Sequence, residues 1–258
     1  MKLYLQFVAM HLKRSMAYKK SFFFSVLGQF LTSFTGFLGL VFLLDRFQTV
    51  RGYTLGECLL CAGVTLTGYS LAECFFRGFD RFSNLVRTAQ VDRLLLRPRS
   101  LMFQVLCDQI EFARLGKLMQ GAVMLAWGIA RTDLAWSPMR AATLILMLAG
   151  GALVFSALYI LRAAFCFFTL EGLEFMNVFT DGAREYGAYP FDVFGRGILR
   201  FCTYVIPYAL FQYYPLMYLL GRSEDFRLGL LPLLTPLFLV PCAALWRLGI
   251  RKYQSAGS

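Results

Sequence analysis

The sequence predicts an all-α integral membrane protein with six transmembrane helices. Of its 258 residues, 58% are apolar and only 16% are charged, whereas soluble domains have about 45–50% apolar and about 25% charged residues. The apolar residues form runs of the roughly 20 residues that a spanning helix requires, without the alternation of a β-barrel. This pattern disfavours a disordered chain, a soluble enzyme and a nucleic-acid partner, although the net charge is +11.

Residues 1–20 are predicted to form an amphipathic helix that lies at the membrane surface and turns into the first span. An apolar stripe recurs every three or four residues along it: Leu5, Val8, Leu12 and Met16. This spacing places the stripe on one helical face, as in helices that lie at the bilayer interface. His11, the single histidine of the chain, lies off this line, and we assign it to the polar face.

Five apolar runs are long enough to cross a bilayer as helices, since lipid offers no hydrogen-bond partner to exposed backbone. They are residues 21–44, 55–76, 112–130, 141–161 and 230–250. An interfacial helix over 101–117 is predicted to lead into the third, because Asp108, Glu111, Arg114 and Lys117 follow one another at steps of three. Such steps place the four charges on one helical face.

The fifth of the six spans has two possible positions. Either residues 163–197 are a connection and residues 198–220 cross the membrane, or residues 163–186 cross it. In the second arrangement residues 187–220 form outer re-entrant helices, which the prolines of that stretch favour, because broken helices are tolerated where protein covers their backbone. Both arrangements give a single transmembrane domain, residues 1–258, with both termini on one side.

Lysine and arginine in the loops orient the chain, because cytoplasmic loops carry an excess of both. Residues 1–20 carry five of them and no acid, and residues 77–99 carry six against two acids. The intervening loops are nearly balanced in charge. The N-terminus, the 77–99 loop and the C-terminus are therefore expected in the cytoplasm.

The segment 77–100 is the most informative stretch outside the predicted spans. A short apolar stripe lies among the arginines and ends before Pro98; it consists of Leu85, Val86, Val91, Leu94 and Leu95. An exposed apolar stripe on a loop suggests a docking surface for another protein. Alternatively, the arginines only enforce orientation and bind anionic lipid.

We find no pattern for chemistry within the chain. It lacks the glycine-rich loop that cradles nucleotide phosphates. Of its seven cysteines, Cys58 and Cys61 have a C-x-x-C spacing, but no second pair and no nearby histidine accompany them, so we expect no metal ligands. Asp181-Gly182-Ala183-Arg184 weakly resembles the signature of membrane phosphatidyltransferases. The carboxylates that would hold the metal ions of such an enzyme are missing.

Acidic residues at membrane depth are candidates for function, because burying their charge in a bilayer is costly. The apolar regions contain Glu57, Glu73, Glu171 and Glu174. Glu171 and Glu174 lie on one helical face, with Asn177 one turn further. These three residues are possible contacts for a transported substrate, or they lie at a water interface paired with arginines.

Three stretches of the chain resemble the permease subunits of bacterial type-2 ABC exporters. The first is the basic start, Lys13-Arg14 and Lys19-Lys20. The second is Val91-Asp92-Arg93-Leu94-Leu95-Leu96-Arg97-Pro98, similar to a cytoplasmic family pattern that begins with glycine where Ala89 stands here. The third is Tyr189-Pro190, Arg200, Ile206-Pro207-Tyr208-Ala209, Tyr214-Pro215 and Leu219-Leu220-Gly221.

This resemblance implies half of an ATP-driven exporter in the bacterial inner membrane. It implies partners: a separately encoded ATPase, which would bind the ATP and magnesium, and a second permease, identical or related. The coupling helix that docks the ATPase would lie in 77–100, with Leu85, Val91, Asp92, Leu94, Leu95, Arg97 and Pro98 as coupling residues. Membrane lipids are further expected partners, and this chain itself is expected to hold no cofactor and to be no enzyme.

Two other functions remain open from the sequence. A channel or carrier would move its substrate without an ATPase, and a membrane-embedded lipid-modifying enzyme would need converging carboxylates or histidines.

Overall fold

The computed structural model describes residues 2–169 and 174–253. Within these ranges the chain is helical, and its one β-type pairing is an isolated antiparallel bridge between Val50 and Tyr53. Four helical stretches are long and apolar enough to cross a membrane: Lys19–Phe47, Leu55–Phe75, Pro138–Phe165 and Phe226–Lys252. They coincide with the first, second, fourth and last predicted spans, and they support a membrane protein.

Eight helices make up the first half of the chain. They are α1 (Lys2–Ala17), α2 (Lys19–Phe47), α3 (Leu55–Phe75), α4 (Arg77–Asp80), α5 (Phe82–Arg87), α6 (Gln90–Leu95), α7 (Leu101–Asp108) and α8 (Leu115–Arg131), with a 3-10 turn at Phe112–Arg114. The third predicted span corresponds to α8, which has 17 residues. At 1.5 Å per residue it is about 26 Å long, shorter than the four stretches above.

The second half begins with one long helix and continues in short pieces. They are α9 (Pro138–Phe165), α10 (Phe175–Asn177), α11 (Ala183–Tyr186), α12 (Arg196–Tyr204), α13 (Tyr208–Phe211), α14 (Tyr213–Leu219), α15 (Phe226–Leu230) and α16 (Leu239–Lys252). A π-helical turn, Val178–Gly182, joins α10 to α11. Two 3-10 segments, Phe191–Phe194 and Leu231–Phe238, precede α12 and α16.

α3 is the central helix of the bundle, and 18 of its 21 residues are buried. Small residues let its neighbours approach closely, as they do between membrane helices. A Cβ atom at Gly63 would lie 2.9 Å from the backbone nitrogen of Leu125 on α8, and one at Gly68 would lie 2.8 Å from the carbonyl carbon of Gly151 on α9. The backbones of α8 and α9 therefore rest directly on α3.

α2 lies at the edge of the bundle and is the least covered of the four long stretches. Only 11% of the most apolar 18-residue stretch of α2 is buried, against 89% of the corresponding stretch of α3. Its inner face packs on α8 through Phe37, whose ring centroid lies 5.4 Å from that of Trp127. The rest of α2 presents apolar side chains to the surroundings, as a helix facing lipid or a second chain does.

The N-terminal segment is helical, but the interpretation of His11 as a polar-face residue is wrong. His11 is buried, and its Nε2 donates to the carbonyl oxygen of Cys107 over 2.9 Å. Val8 packs beside it against Ile110 and Phe112. The other three residues of the apolar stripe, Leu5, Leu12 and Met16, stay exposed, because the helix face that carries His11 contacts the rest of the protein.

The single interfacial helix predicted over 101–117 is also wrong. α7 ends at Asp108, and the extended backbone of Gln109 interrupts the helix. The break lets the amide of Glu111 donate to the carbonyl oxygen of Cys74 over 3.1 Å. Asp108 therefore belongs to a different helix from Lys117, and Glu111 turns toward the end of α3.

Residues 198–220 do not form one continuous helix, because the chain breaks between α12 and α13 at Pro207, which cannot donate to the helical ladder. Upstream, Gly187 lies beside the middle of α3, where its carbonyl accepts from Thr65 over 3.1 Å. Asp192 reaches the start of α3 at Tyr53. Gln212 then returns to the carbonyl oxygen of Gly187, 3.0 Å away. α12 and α13 thus form a short helical hairpin in the half of the bundle nearest the 48–54 loop.

Close packing of α3 on α9 gives a first testable prediction. Gly68→Ala should destabilise the protein by about 1–3 kcal/mol, because the added methyl meets backbone that cannot rotate away. The measurement is thermal unfolding of the purified protein in detergent. Gly39→Ala on α2, where a Cβ would meet nothing within 4 Å, is the control and should cost nothing. Equal melting temperatures for the two variants would contradict the contact.

Candidate coupling surface and interior polar site

The segment 77–100, termed the coupling segment, folds as three short helices, α4, α5 and α6, followed by an exposed turn. Ala89 lies between α5 and α6 with φ of 51°, a left-handed conformation that costs an alanine roughly 1–2 kcal/mol. Glycine adopts this conformation without that cost. The geometry therefore explains why the resembled pattern begins with glycine at this position.

The coupling residues predicted from the sequence divide into an inner and an outer set. Val91 is fully buried, and Leu85 and Leu94 pack against the core. Leu95 is 44% exposed and Leu96, which the prediction omitted, is 87% exposed. The inner set supports the segment, and the outer set forms the surface.

Three arginines and a proline surround the outer leucines on this surface. Arg93, Arg97, Pro98 and Arg99 are all exposed. The turn that carries them is fixed by Gln104, whose Nε2 donates to the carbonyl oxygens of Leu94 and Arg99, each over 2.8 Å. The result is a firm apolar and basic projection.

An aromatic cluster joins the coupling segment to the long helices. The ring of Phe82 on α5 lies 5.0 Å from Trp246 of α16 and 5.0 Å from Phe167, which follows α9. Phe79 of α4 stands 5.5 Å from the same tryptophan. Edge-to-face rings at these separations contribute beyond their buried area, so the segment is attached to α9 and α16 together.

The end of the described chain, at Tyr253, contacts α6 of the coupling segment. Burial, and then the neighbouring Asp92 carboxylate, raise the pKa of the Tyr253 phenol. The ring of Tyr253 also packs 5.8 Å from Phe167. Asp92, predicted as a coupling residue, therefore lies beside the C-terminal end of α16.

Glu73 is the centre of an ion-pair network at this end of the bundle. Its carboxylate is 4% exposed and lies 2.8 Å from Nζ of Lys117, 3.3 Å from Arg114 and 3.7 Å from Arg77. Arg114 also donates to Gln29 of α2 over 2.8 Å. One carboxylate thus connects α3 to α8, to the start of the coupling segment and, through Arg114, to α2.

The network includes two further acids, and one of them, Asp80, extends it to α9. Asp80 lies 2.7 Å from Arg77 and 2.6 Å from Arg162 of α9. Glu111 accepts from Arg81 and Arg114, at 3.2 and 3.1 Å. These contacts surround the coupling segment with charge-assisted bonds, which are stronger than neutral ones.

The substrate-contact residues predicted from the sequence lie close to this network. Asn177 accepts from Nη1 of Arg162 over 2.7 Å. Glu174 is exposed at the start of α10, and Glu171 falls outside the described residues. The structure therefore places Asn177 and Glu174 at the end of the bundle that carries the coupling segment.

A polar site that the sequence did not predict lies deeper in the bundle. The phenol of Tyr69 on α3 donates to Asp181 over 2.5 Å. Nζ of Lys117 and the guanidinium of Arg184 lie 5.2 and 5.7 Å from the Tyr69 ring centroid, within range of cation–π attraction. Arg184 pairs with its neighbour Glu185.

A pocket of about 160 Å³ adjoins this site between α2, α3, α8 and α11. Arg184 and Glu185 line it on one side, and Ser33 and Gly36 of α2 face them. Oγ of Ser33 is buried without a hydrogen-bond partner. Asp181 and Arg184 belong to the tetrapeptide that resembled a lipid enzyme, but their separation of more than 100 residues from Tyr69 hid the cluster from sequence reasoning.

A second charged cluster closes the opposite end of α3. Glu57 caps the helix by accepting from the amide of Thr54 over 2.8 Å, and Arg222 donates to the same carboxylate at 2.7 and 2.9 Å. Burial, and then the hydrogen bond to Asp192, raise the pKa of the Tyr53 phenol. Glu57 therefore links the 48–54 loop to the loop that contains Arg222.

Nothing in the described residues is arranged as a metal centre. No group of three or more His, Cys, Asp or Glu side chains there could hold an ion. The seven cysteines are buried and unpaired.

Comparison with known proteins gives one match. The family model described as ABC-2 family transporter protein matches residues 30–257. No curated protein and no solved structure matches the chain.

The Glu73 network generates a second prediction. Glu73→Gln should destabilise the protein by roughly 3–5 kcal/mol, because it leaves Lys117 buried without its counter-charge. Thermal unfolding in detergent is the measurement. Glu174→Gln, the same change at an exposed carboxylate without a partner among the described residues, should shift stability by less than about 0.5 kcal/mol. A Glu73→Gln protein as stable as this control would refute the network's importance.

Proposed function

The chain belongs to the ABC-2 transporter family and is a permease subunit of an ABC transporter, and we propose that it forms half of an ATP-driven export pathway. Family membership implies an ABC ATPase partner in general. We place nucleotide binding and hydrolysis entirely in that separate chain. The observation that carries the proposal is the exposed, firmly attached Leu95–Leu96 projection of the coupling segment.

Docking through this projection follows from its composition. Leu96 offers an apolar side chain without cover in the described chain, and Arg93 and Arg97 flank it. Apolar side chains with arginine around them are typical of the centres of protein interfaces. The ATPase surface that fits is an apolar cleft with an acidic rim.

Force from the ATPase would reach the long helices along two routes. The aromatic cluster transmits displacement from α5 to α9 and α16, and the Glu73 network transmits it to α3 and α8. Closure of the ATPases on ATP would then favour a second arrangement of these helices. This shift requires that the closed ATPases bind the second arrangement more tightly than the first.

We propose six spans, with the two termini and the coupling segment in the cytoplasm of a bacterial inner membrane. The basic loops support this orientation. So do two contacts that bring the segments to one end of the bundle: His11 with Cys107 near the N-terminus, and Tyr253 with Asp92 near the C-terminus. α8 would be the third span, and the helical stretch ending in α11 would be the fifth, with α12 and α13 as outer re-entrant helices.

The uncovered face of α2 supports a second permease chain as partner. In its second half α2 leaves Phe42, Leu43 and Phe47 exposed, and the polar pocket opens beside it. Pairing of two chains along α2 would enclose the two pockets between them. We propose this pocket as the pathway, with Arg184 and Glu185 in its wall and Asn177 and Glu174 nearer the cytoplasmic entrance. Glu171, which lies outside the described residues, is proposed as a further substrate contact.

Docking gives a third prediction. Leu96→Asp should abolish co-purification with the ABC ATPase partner, because a carboxylate replaces the most exposed apolar side chain of the projection. Leu96→Met keeps the apolar contact and should co-purify like wild type. The permease fold is unaffected in both variants, since Leu96 makes little contact with the core, and unfolding temperature checks this.

The docking assignment would be contradicted if the ATPase bound the Leu96→Asp permease normally. Substrate movement by the permease alone in liposomes, without ATP, would instead favour a channel or carrier.

The pathway gives a fourth prediction. Gly36→Cys, whose Cβ would lie 3.9 Å from a carboxylate oxygen of Glu185, should react with a membrane-impermeant, charged methanethiosulfonate reagent. Leu31→Cys on the opposite, exposed face of α2 is the control and should react poorly, because lipid covers it. The native cysteines are buried and should give little background. Equal labelling of both positions would contradict a polar pathway at this pocket.

A further inference from the structure

A polar pocket of about 390 Å³ lies where α1 turns into α2, and it takes no part in the proposed transport. We term it the elbow pocket. It lies between α1, the first turns of α2 and the 109–113 turn, and its polar lining includes Arg14, Ser21, Ser25, Arg81 and Gln109. Its volume is in the range of sites that bind small ligands.

We propose that the elbow pocket binds the headgroup of one anionic phospholipid with a hydroxyl-bearing head, such as phosphatidylglycerol. The proposal does not depend on the substrate or on ATPase docking. It depends on the charge, the hydrogen-bonding groups and the position of the pocket.

The charge of the pocket favours a phosphodiester. Arg14 has no ion-pair partner among the described residues, and Arg81 lies on the same rim. Glu111 also borders the pocket, but Arg77, Arg81 and Arg114 all lie within ion-pair distance of its carboxylate. An anion therefore meets one guanidinium without an ion pair, that of Arg14, and guanidinium groups suit phosphate oxygens.

The hydrogen-bonding groups favour a head that carries hydroxyls. Ser21 and Ser25 stand one helical turn apart on α2, and neither hydroxyl has a partner in the described part of the chain. Oε1 of Gln109 is buried without a hydrogen bond. A buried acceptor of this kind costs free energy until a donor reaches it, and a glycerol headgroup supplies such donors.

The position of the pocket favours a lipid over a soluble anion. Tyr18, which links α1 to α2, is 79% exposed, as aromatic residues at the membrane interface commonly are. Beyond the pocket α2 exposes Phe24 and Leu31, so acyl chains could follow the helix. Basic pockets beside spanning helices on the cytoplasmic side bind anionic headgroups in this way.

The test is a titration of the full-length permease in neutral detergent with phosphatidylglycerol, followed by native mass spectrometry. Wild type should retain one lipid. Arg14→Gln should weaken binding about fivefold, the value for one arginine at about 1 kcal/mol. Lys13→Gln, the neighbouring charge on α1 outside the lining, is the matched control and should bind like wild type.

A second variant tests the location without altering charge. Ser25→Phe fills the pocket, and it should reduce binding at least as much as Arg14→Gln while the unfolding temperature in lipid-free detergent stays unchanged.

Three results would overturn the proposal. They are equal weakening by Lys13→Gln and Arg14→Gln, equal retention of phosphatidylcholine and phosphatidylglycerol, and undiminished binding to Ser25→Phe. A further titration adds inorganic phosphate as a competitor. If it displaces phosphatidylglycerol at equal concentration, the site takes a free anion and the lipid assignment is wrong.

Discussion

The buried carboxylate of Glu73 is the interaction on which the arrangement of the helices depends. It stands near the end of the central helix, and three cationic side chains from different parts of the chain converge on it. A buried charge of this kind is tolerated only when it is fully paired. The positions of α8 and of the start of the coupling segment are thereby set relative to α3. Because lipid itself drives no helix association, such polar contacts and close backbone packing determine how the bundle assembles.

Three of the polar side chains along the central helix lie in different surroundings. Glu57 at one end ties loops together through Arg222. Glu73 at the other end ties the bundle to the coupling segment. Tyr69, near Glu73, contacts Asp181, and Ala62 and Leu66 of the same helix line the pocket beside α2. A shift at the coupling segment therefore acts on the helix that also forms the pocket wall, which makes mechanical coupling between the two sites physically reasonable in a packed interior.

Sequence reasoning was most accurate where hydrophobicity alone decides the structure. The runs at 21–44, 55–76, 141–161 and 230–250 correspond to the four long apolar stretches of the structure, and the family resemblance is confirmed by the match over residues 30–257. It was least accurate at His11 and over 101–117. In both cases one backbone contact decides the outcome, a ring nitrogen on the carbonyl of Cys107 and an amide on the carbonyl of Cys74, and no periodicity in the sequence reports such a contact.

The sequence by itself determined that this is a membrane permease, because the bilayer imposes length and apolarity on each spanning segment separately. Only the tertiary structure decided which side chains of the coupling segment are buried, which acids are paired, and where the interior polar pocket lies. Leu94 and Leu96 are the same residue type, yet Leu94 packs against the core and Leu96 is exposed. Tyr69 and Asp181 meet across 112 residues. The physical reason is that burial and ion pairing are properties of contacts between distant segments, whereas membrane insertion is a property of each segment alone.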